Sequence, residues 1–308
     1  MTESSTPKPL AISDAHVLQQ FNRAQRPASA EFLHAEIAQR MRERLKLIRL
    51  APEVVLDAGC GTGARSHLLG ERFPQARLIS LDHNPRLLKI LRDAHHLDGI
   101  GKRLARLLQS GQPEHHKTVC ADMANTGLTA ESVDLVWSNM ALHWHPRPHE
   151  TIKEWGRVLR PEGLAFFSCL GPATAIELRT AINDAGLQTA GMPFVDMHDF
   201  GDMLIEHGFA DPVMDQETLT LTYRDTDSLL RDVRALGGNA STHRRASLVG
   251  RAWLARLKDA LQSRRNEHGE LKLTIEVSYG HAWRRSVRKH GTETHISLQS
   301  IGRKGPAI

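Results

Sequence analysis

Between Val54 and Leu170 the apolar residues fall into short unbroken runs, EVVLDAG, ARLISLD, HKTVCAD, VDLVWSNM and GLAFFSCL. Segments of helical periodicity separate them: one from about Ala64 to Arg72, one opening at Asn84-Pro85 and one around Glu150–Leu159. Strands that are apolar throughout and alternate with helices belong to a parallel sheet covered on both faces. The pattern therefore predicts a doubly wound α/β domain. Upstream, EFLHAEIAQRMRERLKLIRL is helical, with Phe32, Ile37, Met41, Leu45 and Ile48 mostly on one face. The stretch from Ile90 to His116 is longer than a minimal connection between strands and predicts an extra helix.

Beyond Leu170 the rhythm changes. GPATAIELRTAINDAG and FVDMHDFGDMLIEHGF predict two helices, PVMDQETLTLTY an extended run, and the segments near Asp227–Leu236 and Ser247–Arg264 two more helices before a closing strand, LKLTIEVSYGHAW. Residues from about 222 to 268 are thus an excursion before the last strand, expected to form a helical cap over the pocket. Residues 1–12 are expected to be an unstructured leader, 13–283 the domain, and 284–308 a flexible basic tail.

Composition narrows this picture. A chain of 308 residues suffices for one large domain carrying an insertion. No run of about 18 apolar residues occurs, and the start lacks a basic end followed by an apolar core, so a cytoplasmic protein with no membrane contact is expected. Cys60, Cys120 and Cys169 lie far apart in strand-like runs and are expected to be core residues, with no disulfide or metal pair among them. The net charge of +5 favours acidic partners.

The chemistry concentrates at strand ends, where doubly wound sheets bind ligands. VVLDAGCGTG breaks a strand into a glycine turn that lets backbone approach a ligand. Gly59, Gly61 and Ala64 fit a dinucleotide fingerprint, whereas Asp57, Gly59, Gly61 and Gly63 fit a turn that holds S-adenosylmethionine. An acidic Asp57 is awkward for a pyrophosphate and suited to a cationic aminoacyl group, which favours S-adenosylmethionine over NAD. Asp82, with His83 beside it, ends the second strand where a carboxylate accepts ribose hydroxyls. Asp122 and Met123 would bracket an adenine, and Asn139 closes the fourth strand beside the reactive centre.

This series resembles the motifs of class I S-adenosylmethionine-dependent methyltransferases over roughly residues 53–170. A closer resemblance runs through FNRAQRPAS, VLDAGCGTG, DLVWSNMALHW, WGRVLRPEG, LLRDVRALGGNAS and YGHAW. These strings are similar to the malonyl-acyl-carrier-protein O-methyltransferases of biotin synthesis. The resemblance implies a Rossmann-like, mostly parallel seven-stranded sheet, S-adenosylmethionine as donor with S-adenosylhomocysteine as product, and a malonyl thioester on an acidic acyl carrier protein as acceptor.

A malonyl carboxylate is already ionised at neutral pH, so no general base is expected and the site residues should position. His143 and Trp144 are the candidates for walling the pocket and donating a hydrogen bond, with Phe21 and Arg23 folding over from the N-terminal segment. Arg23 suits a carboxylate. Arg251, Lys258 and Arg265 recur every seven residues beside an apolar face of Leu254, Leu257 and Leu261, a stripe for the acidic carrier. His143, His145 and His149 have no carboxylate or thiolate at ligand spacing, so no metal is expected. Two other readings remain at this level: a non-methylating assembly factor of the same fold, or a methyltransferase for another small acid. A nucleic-acid substrate is disfavoured by 5% aromatic content and the lack of an Asn-Pro-Pro-aromatic motif after the fourth strand.

Overall fold

The computed structural model describes residues 7–23, 28–94, 116–245 and 250–286. Seven strands form one sheet in the order β3-β2-β1-β4-β5-β7-β6. They span β1 Val54–Ala58, β2 Arg77–Asp82, β3 His116–Cys120, β4 Val133–Asn139, β5 Leu159–Leu170, β6 Phe209–Tyr223 and β7 Leu271–Arg284. Neighbours from β3 across to β5 pair in parallel, and β7 is antiparallel to both β5 and β6. The order reverses between β1 and β4, which opens a crevice at their carboxyl ends.

The helices are α1 Asp14–Asn22, α2 Ala28–Lys46, α3 His67–Arg72, α5 Pro148–Val158, α6 Ile176–Asp184, α7 Met197–Glu206, α8 Thr226–Ala235 and α9 Arg251–Gln262. Residues 85–94 are also helical and are called α4. Alternation along β5 shows why both faces are covered: Leu164, Phe166 and Leu170 enter one core, while Ala165, Phe167 and Cys169 enter the other. The first core also takes α2, α6, α8 and α9, and the second takes α5 and α7. No helix among the described residues is long and apolar enough to cross a membrane.

Several expectations need correction. Phe32 is 62% exposed, because the buried stripe of α2 is Leu33, Ile37, Met41 and Leu45 at four-residue spacing. Cys120 is exposed on the edge strand, and Cys60 is only partly buried. The leader is packed before residue 12: Leu10 N donates to Pro146 O at 2.8 Å, and Ile12 is buried and bridges Ser241. The excursion before β7 holds α8 and α9, which wall a cavity and also join the main core. Leu229, Leu230, Leu257 and Leu261 share one core with α2 and β7. The expected extra helix after Ile90 lies outside the described residues from 95 to 115, as do 1–6 and the tail from 287.

Candidate active site

The turn after β1 is built on three positive-φ glycines, each with its own reason. A Cβ on Gly59 (φ +77°) would lie 2.3 Å from Ala141 Cβ, and one on Gly63 (φ +68°) 2.2 Å from Leu91 Cδ1. A Cβ on Gly61 (φ +58°) would meet nothing within 4 Å. At that position the left-handed conformation alone requires glycine, and bare backbone faces open space. Gly61 N is held by Asp82 Oδ2 at 2.8 Å, and Gly59 N by Leu81 O at 2.8 Å.

Asp57 closes the cradle from beneath. Its buried carboxylate accepts from Ser66 Oγ at 2.6 Å. Burial pushes its pKa up to about 7, against the Ser66 hydrogen bond and helped by the charge of Asp82. A buried carboxyl lacking a counter-charge suits a ligand that carries positive charge. Both Asp82 oxygens already accept a backbone N–H, from Gly61 and from Asn84 at 2.8 Å each. Each retains a lone pair for a hydroxyl donor. Asn84 Nδ2 in turn donates to Asn22 Oδ1 at 3.0 Å, which ties the end of α1 to this wall.

At the third strand end, Asp122 Oδ1 accepts from Ala124 N at 2.8 Å and from His145 Nε2 at 3.0 Å. Arg147 N donates to His145 Nδ1 at 3.0 Å, which leaves the ring proton on Nε2. The His145 hydrogen bond holds Asp122 at a pKa of about 2. Sequence reasoning missed this partner because His145 was weighed only as a ligand. Asn139 also reaches the cavity, but both ends of its amide are engaged: Nδ2 donates to His34 O at 3.2 Å and Oδ1 accepts from Ser168 Oγ at 3.1 Å. One cavity of about 240 Å³ gathers Asp57, the glycine turn, Asp82, His83, Asp122, Met123 and Asn139, with Phe21 and Trp144. These residues fit S-adenosylmethionine: bare backbone, a carboxyl in need of a cation, and two further carboxylates at successive strand ends.

His143 and Trp144 lie on a 3₁₀ turn, Leu142–Trp144, directly after β4. Trp144 walls the cofactor cavity and also a second cavity of about 670 Å³ between α6, α8 and α9. Its ring stands edge-on to Phe21 with centroids 5.3 Å apart. A Cβ on Gly237 (φ +116°) would lie 2.4 Å from that indole, so the glycine pair after α8 makes room for it. His143 lines neither cavity. It is buried, with Leu170 N donating to its Nδ1 at 3.3 Å and its ring against Trp144 and Phe194. Burial, with His34 nearby, pushes its pKa down to about 3, so the ring is neutral and carries its proton on Nε2. His143 Nε2 and Trp144 Nε1 are both buried donors with no partner among the described residues.

The remaining predicted contacts divide. Arg23 is the exposed C-cap of α1 and is not on the cavity wall, because α1 ends before its side chain reaches inward. Arg251 sits at the start of α9 on the rim of the second cavity. Lys258 is held by Asp227 at 2.6 Å, and Arg265 donates to Gln262 and to the Arg224 carbonyl at 2.8 Å each. The heptad stripe is therefore mostly consumed in fastening α9 to α8 and the loop before β7.

Comparison with known proteins agrees with this geometry. A methyltransferase domain family matches residues 56–167. A malonyl-(acyl-carrier protein) O-methyltransferase of Methylovorus sp. strain MP688 is 43% identical over 279 residues, covering 90% of this chain and 91% of that protein. Its counterpart from Laribacter hongkongensis is 43% identical over 260 residues, covering 84% and 85%. The chain belongs to the malonyl-(acyl-carrier protein) O-methyltransferase family. As a methyltransferase it takes S-adenosylmethionine as its cofactor. A structure of YcgJ from Bacillus subtilis shares the fold, with a TM-score of 0.55 at 13% identity over 82% of this chain and 99% of that one.

Proposed function

We propose that the chain esterifies the free carboxylate of a malonyl thioester carried by an acidic acyl carrier protein, an early step toward biotin in the cytoplasm. The observation that carries this reading is the unpartnered buried donor Trp144 Nε1 on the wall that the two cavities share. A carboxylate held at that wall has lone pairs to accept from it. S-adenosylmethionine, when bound, supplies an electrophilic methyl on a positively charged sulfur. A carboxylate oxygen displaces the neutral thioether, and no proton has to move.

The work of the protein is to strip water from the anion and fix its approach. His143 is neutral and buried behind Trp144, ring centroids 5.0 Å apart, and positions by backing that indole. The second cavity has the size of a small-molecule site and an apolar lining that includes Leu178, Phe194, Trp253 and Leu254. It suits the thioester and the flexible arm behind it, and Arg179, Arg234 and Arg251 on its walls suit the arm's phosphate.

The test is S-adenosylhomocysteine release with malonyl-carrier protein, malonyl-coenzyme A and free malonate offered in parallel, at low and moderate salt. Fast turnover with the carrier ester that weakens as salt rises is expected. Cofactor binding with no turnover on any of the three would overturn the acceptor assignment.

A further inference from the structure

We propose that His149, Glu206 and His207 form a zinc site that fastens the start of α5 to the end of α7. One donor atom from each of the three side chains lies within 4.8 Å of the other two. His149 is the second residue of α5, Glu206 the last of α7 and His207 its C-cap. Gly156 sets up the meeting. It lies seven residues beyond His149 on the same helix face, and a Cβ there would be 3.2 Å from His207 O and 3.3 Å from the Phe209 ring. A bare glycine thus lets the end of α7 settle directly on α5, and the two imidazoles meet edge-on with centroids 6.3 Å apart at 82°.

The independent observation is in the hydrogen-bond accounting. His149 Nδ1 and His207 Nε2 are both buried with no hydrogen-bond partner among the described residues. Buried polar atoms are seldom left unpaired. Two imidazoles and one carboxylate suit zinc, which takes nitrogen donors readily, and not calcium or magnesium, which prefer oxygen. Three protein donors at about 2.0–2.1 Å, with water as the fourth ligand, complete a tetrahedral zinc site and must close to about 3.4 Å from one another. Glu206 is exposed and has the freedom to supply most of that movement. Local spacing could not reveal the site, because its carboxylate and second imidazole come from another helix.

None of the three residues lines the cofactor cavity or the larger cavity behind Trp144. The metal is therefore structural: it pins the far end of the loop that carries His143 and Trp144, without touching reactants.

The experiment uses the full chain without an affinity tag, stripped with a chelator and then titrated with Zn²⁺ and, separately, Co²⁺. One equivalent is expected to bind at micromolar concentration or tighter, with the intense visible bands of tetrahedral Co²⁺ and a raised thermal midpoint. All three signals should vanish in His149→Gln and His207→Gln and weaken in Glu206→Gln. They should persist in His198→Gln, a histidine that bonds Asp196 at the other end of α7. Retained S-adenosylmethionine binding shows that a variant is folded. For a variant that fails this check, the wild-type Co²⁺ spectrum decides: pale octahedral bands overturn the proposal. Absence of saturable binding, or binding unchanged in both histidine variants, overturns it equally.

Discussion

Burial holds the Asp57 carboxyl at a pKa of about 7, well above the value of about 4 it has in an unfolded chain. The folded state therefore keeps this proton more tightly, and the group costs stability increasingly as pH rises from about 4 to 7. A cationic ligand reverses the preference, because it binds the ionised form. S-adenosylmethionine affinity should rise with pH through about 7 and then level off, with proton release visible by calorimetry in buffers of differing ionisation enthalpy. Asp57→Asn should bind more weakly at every pH and lose the dependence. Gly59 makes a different forecast. Alanine there adds the left-handed penalty of about 1–2 kcal/mol to a clash with Ala141 Cβ at 2.3 Å. Chemical denaturation should show Gly59→Ala destabilised by at least that much, and Ala141→Gly should recover the clash but not the conformational cost. The glycine spacing is legible in the chain. Which glycine is bare toward ligand is not, since Ala141 and Leu91 arrive from other elements.

Acid sensitivity belongs to the contacts between elements. Glu154 on α5 accepts from Thr126 N at 3.0 Å and from Arg157 Nε at 2.7 Å. Burial works to raise its pKa, but these bonds outweigh burial and hold it below the usual range. Asp122 is held lower still, at about 2, by His145. Both depressed carboxylates contribute stability above their unfolded pKa values, and it is lost as pH falls through the folded ones. Unfolding free energy should drop between about pH 5 and 2. Glu154→Gln should cost about 1–3 kcal/mol near pH 6 and flatten that slope. The central strands β1, β4 and β5 were readable because both their faces are buried and their sequences are largely apolar. The short α1 was not, since Val17 is its only fully buried residue.

For the molecule as a whole, the basic surface is thinner than the sequence implies. Lys258 neutralises Asp227, whereas Arg251 has no partner among the described residues and stands on the cavity rim. With the carrier-bound ester, Arg251→Glu should raise KM several-fold, most strongly at low salt, while Lys258→Ala changes it less than two-fold. Steady-state kinetics at two ionic strengths separates them. The cavity at the strand ends gathers residues that the chain already singles out, but the second cavity could not be read, because α6, α8 and α9 meet only after folding. Trp144 belongs to both chambers, so any ligand pair that fills them meets at one wall. Whatever factor one ligand imparts to the affinity of the other through the indole must be returned in equal measure. Titrating the protein with one ligand in the absence and then the presence of the other measures that factor from either side.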